Sequence, residues 1–128
     1  MDFRISPMIE AYRSRIAHFV ETDIIPYEND PKAYDGHGNL ALPLVRLLRD
    51  KARAQGLWCL QLQKVNGGQG LDKVGIAVCY EAMNRSIFGP VIFNAAAPDD
   101  GNMMLLEKVA TDAQKLAWLT PLVDGQVR

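Results

Sequence analysis

The segment 72–87, DKVGIAVCYEAMNRSI, constrains the fold more than any other. Val74, Ile76, Val78, Cys79, Met83 and Ile87 recur at helical spacing, yet they fall on nearly every side of the helix they predict. A surface helix shows one apolar stripe. A helix apolar nearly all round needs cover on several sides, so this one is expected to be central, with Asp72 as its N-cap. Glu81 is the exception inside it. A carboxylate there raises a catalytic role, but an i,i+4 pair with Arg85 is the commoner reason for such an acid, and that structural pair is the expectation.

The segments available to cover it also read as helices. Ser6-Pro7 makes a capped start with proline at the first helical position, and Ile9, Tyr12, Ile16, Phe19 and Val20 follow at helical spacing until about Pro26. Between Pro26 and Leu42 the chain is rich in Pro, Gly, Asn and Asp, which predicts a surface loop with no regular element. Pro43 opens an amphipathic helix with Leu44, Val45, Leu48 and Ala52 on one side and Arg46, Arg49, Asp50, Lys51 and Arg53 on the other, stopped at Gln55-Gly56. The charged side is expected to be a solvated face and not a binding patch. Phe88-Gly89-Pro90 breaks the central helix and residues 91–97 predict a short one. Two more follow at 102–109 and 112–122, the last opened by a Thr111/Gln114 capping box and stopped before Gly125. No segment alternates with period two. Residues 1–128 are therefore expected to form one all-α domain, a bundle of about five to six helices.

Three glycines crowd the stretch VNGGQGLD, residues 65–72. A phosphate loop needs a strand, then GxGxxG or GxxxxGK[ST], then a helix whose amides face the anion. Gly67, Gly68 and Gly70 give GGxG and Lys73 precedes Val74, so this loop is expected only to turn the chain. Fourteen basic against fifteen acidic residues, with no basic block, argue against a nucleic-acid or polybasic membrane partner. Cys59 and Cys79 form no CxxC and stand apart from His18 and His37, which predicts reduced thiols and assigns no metal ligand. His18, beside the apolar stripe of the first helix, reads as a surface or packing residue. None of Ser6, Ser14 and Ser86 sits in a G-x-S-x-G elbow. No window approaches about 18 uninterrupted apolar residues and the opening MDFRISPM has no apolar leader core, so no membrane span and a cytoplasmic location are expected.

Longer segments carry a resemblance. Gly56-Leu57-Trp58, then Asn66-Gly67-Gly68-Gln69-Gly70-Leu71, then YEAMNRS at 80–86, NAAAPDDGNM at 94–103 and ATDAQKLAWLTPL at 110–122, followed by Gly125, occur in an order that resembles the N-terminal helical domain of the acyl-CoA dehydrogenases. The resemblance covers nearly the whole chain, and GG-x-GL and T-x-x-Q-K-x-x-W-L-x-P-L are its most specific parts. The A-P-D-x-G-N-M run is most similar to the subgroup whose members can be fused to a kinase-like domain in animals. Two positions depart from the family pattern. Gln63 stands where many relatives have a proline before the glycine turn, and Ala110 where a glycine often precedes the capping threonine.

The resemblance implies a three-part enzyme of this helical domain, a β domain and a C-terminal bundle. Its reaction removes an α-proton from an acyl-CoA by a glutamate base and passes the β-hydrogen as hydride to FAD, leaving a trans-2-enoyl-CoA. It also implies that the glycine stretch is a turn into the central helix, and that a T-E-P strand and the base lie beyond Arg128. No catalytic or cofactor-binding residue is then assigned in this chain, and the fragment alone is expected to be inactive. What falls to these residues is one wall of the acyl pocket, carried by Asn94, Pro98, Asp99, Gly101 and Met104, with Pro98 and Gly101 allowing close approach of the chain. A flavin-linked electron acceptor and a homo-oligomeric full-length protein go with it. A chain closing at Gly125-Gln126-Val127-Arg128 is expected to be an excised domain. The alternative is a stand-alone helical interaction module without catalysis, which requires the gene to end near Arg128 and would show a helix-binding groove in an otherwise polar surface.

Overall fold

The computed structural model describes residues 4–127, so Asp2 of the opening stretch and Arg128 lie outside the described residues. Among those described, regular structure is helical apart from one isolated antiparallel bridge between Tyr34 and Leu40.

Helix α1 (Pro7–Phe19) starts as its sequence dictates, with Ser6 Oγ accepting the Ile9 amide at 3.3 Å and Pro7 where no amide hydrogen is needed. It does not end near Pro26. The rod widens into a π turn, Val20–Ile24, and continues as α2 (Ile25–Glu28). Pro26 has no N–H to offer one turn back and its ring crowds the carbonyl there. The wider turn shifts the ladder, the Ile25 amide reaching the Val20 carbonyl, and the rod survives its proline. The same device precedes Pro121. There α7 (Asp112–Gln114) passes through a π turn, Lys115–Leu119, into α8 (Thr120–Val123).

The stretch after Glu28 is less free than a plain loop. It holds a 3-10 turn, Pro31–Ala33, and the Tyr34 hydroxyl donates to the Glu28 carbonyl at 2.7 Å. Ser86, 1% exposed, donates to Glu28 Oε1 at 2.5 Å and ties the end of α2 to the far side of the molecule. Helix α3 (Leu42–Ala54) follows, then α4 (Lys73–Met83), capped by Asp72 Oδ1 on the Gly75 amide at 2.7 Å, then α5 (Gly89–Ile92) and α6 (Asp99–Val109). With the last rod this makes six rods, an all-α fold as expected.

Two clusters hold it together. The larger joins Ile16, Phe19, Val20 and Ile24 to Leu48, Cys79, Met83, Ile92 and Phe93, with the Phe19 and Phe93 rings edge to face at 5.3 Å. The smaller is built of Trp58, Cys59, Leu62, Met103 and Leu119.

Helix α4 is covered on one side only. Gly75, Cys79, Ala82 and Met83 are buried, Gly75 letting Ile9 of α1 approach closely, while Val74 is 58% exposed; α4 ends at Met83, and Ile87, expected on it, lies beyond its end and is 79% exposed. The expected Glu81–Arg85 pair does not form: Arg85 Nη2 meets Glu21 Oε1 at 2.5 Å instead, because the π turn of the first rod carries that carboxylate within reach. Glu81 is exposed, and Arg13 is paired with Glu10 at 2.6 Å. The charged side of α3 is only partly a solvated face. Arg53 and Arg49 lie over the buried Trp58 ring at 4.0 and 5.6 Å, Arg49 Nε donates to the Val91 carbonyl at 3.1 Å, and Arg53 reaches the Asp124 carbonyl.

Candidate functional site

The five residues assigned to the wall lie between α5 and the middle of α6. Gly89 and Pro90 do not merely break the preceding helix; they start α5. That helix stops at Ile92, short of the expected Ala97, because Asn94 turns the chain with a φ of 56°. The Ala97–Pro98 peptide is cis and α6 begins at Asp99, three residues before the expected Asn102. Its first turn is satisfied from within: Asp100 Oδ1 accepts the Gly101 amide at 2.6 Å and the Pro98 carbonyl accepts the Asn102 amide at 3.1 Å.

The structure divides these five residues between a back and a front. Asn94 and Asp99 are each 4% exposed and form the back. The Asn94 amide nitrogen donates to the Leu122 carbonyl at 3.0 Å and to Cys59 Sγ at 3.2 Å, and lies 3.7 Å from Met103 Sδ. Its own carbonyl accepts Gln61 Nε2 at 3.0 Å. Gln61 is buried too, and its Oε1 has no partner among the described residues. Cys59, at a φ of 49°, donates its amide to the Phe93 carbonyl at 3.2 Å. One side chain thus joins the 57–62 turn, α6 and the last rod.

Pro98 and Gly101 form the front, both exposed. A Cβ built on Gly101 would meet nothing within 4 Å. Leu105 and Val109, 59% and 67% exposed, continue the Gly101 line at i+4 spacing. Met104 lies between back and front, half-buried, with its Sδ 3.9 Å from Lys73 Nζ. It borders a groove of about 360 Å³ with Gln61, Gln63 and Glu107.

Residues that sequence reasoning did not assign support this wall. The Tyr80 hydroxyl on α4 donates to Asp100 Oδ2 at 3.2 Å. Burial, and next the Asp100 carboxylate, push the Tyr80 hydroxyl pKa well above its ordinary value. Glu107 Oε1 accepts the Gln63 amide and Asn66 Nδ2, each at 2.8 Å. Gln63 sits at φ −66° and ψ 153°, a conformation proline shares, so this departure from the family pattern keeps the backbone path and adds a hydrogen bond that proline could not make. Ala110, at φ −77° and ψ 147°, needs no glycine.

The glycine stretch only turns the chain. A Cβ on Gly68 would stand 2.1 Å from the Leu62 carbonyl oxygen, so the close approach of two backbones excludes any side chain there. The amides of Gly68 and Gly70 are bonded to the carbonyls of Gln63 at 3.1 Å and Leu62 at 2.7 Å, which leaves neither to face an anion. These residues do not fit the diphosphate of FAD, and the first-turn amide of Gly101 is likewise taken by Asp100. Among the described residues no group of His, Cys, Asp and Glu could hold a metal ion, and no helix is long and apolar enough to cross a membrane. Cys59 and Cys79 are free, and burial pushes each thiol pKa up to about 11.

Comparison with known proteins gives consistent matches. The family described as acyl-CoA dehydrogenase, N-terminal domain, matches residues 6–126. Acyl-CoA dehydrogenase family member 10 of Mus musculus is 34% identical over 131 residues, covering 97% of this chain and 12% of the relative. The probable acyl-CoA dehydrogenase FadE2 of Mycobacterium tuberculosis is 33% identical over 133 residues, covering 100% of this chain and 32% of its own length. A solved structure from Mycobacterium abscessus, assigned as an acyl-CoA dehydrogenase, superposes with a TM-score of 0.83 at 31% identity, over 98% of this chain and 34% of that one. The chain therefore spans about a third or less of the length of these relatives.

Proposed function

The chain belongs to the acyl-CoA dehydrogenase family through that family's N-terminal domain, and from this premise we propose that it supplies one wall of the acyl pocket in a longer flavoprotein. The observation that carries the reading is the two-sided wall. Its front, from Pro98 and Gly101 to Leu105, is open, with Asp100 and Asn102 at its edge, while its back is fixed by Asn94 and closed by Asp99. A hydrocarbon chain laid on such a surface gains about 0.8 kcal/mol for each methylene it buries. Gly101 leaves room for it. The further uncovered apolar residues, Val74 on α4 and Leu116 and Trp118 on the last rod, suit a domain that packs against the rest of a larger protein.

In this reading the longer protein converts an acyl-CoA to a trans-2-enoyl-CoA, FAD taking up the hydride when bound, and the flavin-binding residues and the glutamate base stand outside this chain. Residues 94–104 orient the acyl chain and keep water from it. A flavin-linked electron acceptor, a homo-oligomeric state and a cytoplasmic location belong to the same proposal, the free buried thiols suiting a reducing compartment.

The test compares residues 1–128 with a protein extended by the part that the relatives carry, each given FAD, palmitoyl-CoA and a dye acceptor. The extended protein is expected to turn over, and the fragment to show neither turnover above a flavin blank nor stoichiometric yellow colour. Turnover by the fragment alone, or an extended protein inert toward every acyl-CoA offered, would overturn the proposal. A gene ending near Arg128 would favour the interaction module.

A further inference from the structure

We propose that Asp100 and Tyr80 form a specificity-determining pair that limits the length of acyl chain the wall accepts, Asp100 beside the chain and Tyr80 positioning it. This rests on the acyl-wall reading above. Gly101 is the point where the front has no side chain. The Asp100 carboxylate stands directly beside it, with Oδ1 2.6 Å from the Gly101 amide nitrogen and Oδ2 3.2 Å from the Tyr80 hydroxyl. Both side chains are half-buried. A fixed charge therefore edges the stretch of wall that is otherwise most open to hydrocarbon.

The consequence depends on chain length. A chain that ends before Gly101 leaves the carboxylate its water, whereas one that passes over Gly101 must strip part of that water away. Desolvating a carboxylate is unfavourable to the extent that its oxygens lack other donors. Two donors stay in place when water leaves, the Gly101 amide and the Tyr80 hydroxyl. The penalty on a long chain is thus set by the charge of Asp100 and moderated by Tyr80.

This predicts opposite signs for two conservative substitutions in the extended protein. Asp100→Asn keeps the size and can keep the Gly101 bond through Oδ1, its Nδ2 donating to the Tyr80 oxygen in place of the bond the carboxylate accepted, but removes the charge, so the ratio of kcat/KM for long over short acyl-CoAs should rise, by about tenfold. Tyr80→Phe keeps the ring and removes one donor, so the same ratio should fall. A purely structural pair would lower both variants on all chain lengths together, in step with Tm. Gly101→Phe is the reference arm because it obstructs the front while both polar side chains are kept. If it fails to depress long chains selectively, the wall reading itself falls. If it does so while the two variants shift the ratio in one direction or not at all, the wall stands and the pair inference is overturned. Should Tyr80→Phe fail to fold, the rise expected for Asp100→Asn alone decides, and its absence rejects the inference.

Discussion

The α1–α4 side of the molecule and the side built from residues 94–123 stabilise themselves by different means. On the first, aliphatic and aromatic side chains fill one continuous cluster, with the buried Ser86 bonded to Glu28 beside it. On the second, a smaller cluster adjoins buried Asn94 and Gln61, two non-glycine residues, Cys59 and Asn94, adopt left-handed backbone, and Leu116 and Trp118 remain 73% and 56% exposed. Burial of apolar area is non-directional, whereas hydrogen bonds fix position. The contrast teaches that the second side is held by directional bonds at fixed positions more than by apolar area, which suits the wall proposed above.

The comparison can be broken most forcefully on the apolar side. Phe19→Ala should cost about 3–5 kcal/mol, read from the urea midpoint at unchanged slope, since Phe19 is fully buried and meets Phe93 edge to face. A cost below about 1 kcal/mol would deny that this cluster dominates. Asn94→Ala should cost less, about 0.5–1.5 kcal/mol, by removing one hydrogen bond to the Leu122 carbonyl, which keeps the Gly125 amide at 3.0 Å. Asn94→Gly should recover the part due to the left-handed backbone. The two cysteines then sharpen the contrast, because Cys79 sits in the larger cluster and Cys59 in the smaller, both fully buried with thiol pKa values near 11. Their chemistry is matched, so native-state alkylation rates report opening. Cys59 should react on the order of tenfold faster than Cys79. Equal rates would mean that the two sides open as one unit. The smallest effect belongs to Gly101→Ala, which should stabilise by up to about 1 kcal/mol, as its Cβ enters open space on a helix. A thermal scan that shows a loss instead would place a constraint at Gly101 that the packing does not show.

What could be read from the sequence was local. Ser6, Asp72 and the Thr111/Gln114 box cap their helices as expected, the box with both bonds present at 2.9 and 3.3 Å, because each depends on residues within one turn. The π turns were hidden for a different reason. A proline announces the loss of a hydrogen bond, not whether packing on both sides will hold the rod together around it. Of the proposed wall, Pro98 and Gly101 are named through the family resemblance, and the structure leaves both exposed. The back was not legible, since Asn94 to Leu122, Asn94 to Cys59, Tyr80 to Asp100 and Gln63 to Glu107 join positions 20 to 44 apart, where spacing rules are silent. The breadth of apolar residues on α4 was read correctly, but as a sign of a central helix. The structure shows that one of its sides is open.

The central claim, that the front of residues 94–104 lies against an acyl chain, is tested most directly by photolabelling. An acyl-CoA carrying a diazirine near the far end of its chain would be irradiated on the extended protein and the modified residues mapped by mass spectrometry. Label is expected on Pro98, Gly101, Met104 or Leu105, lost when unlabelled acyl-CoA competes. Label confined to residues outside 4–127, with competition intact, would contradict it.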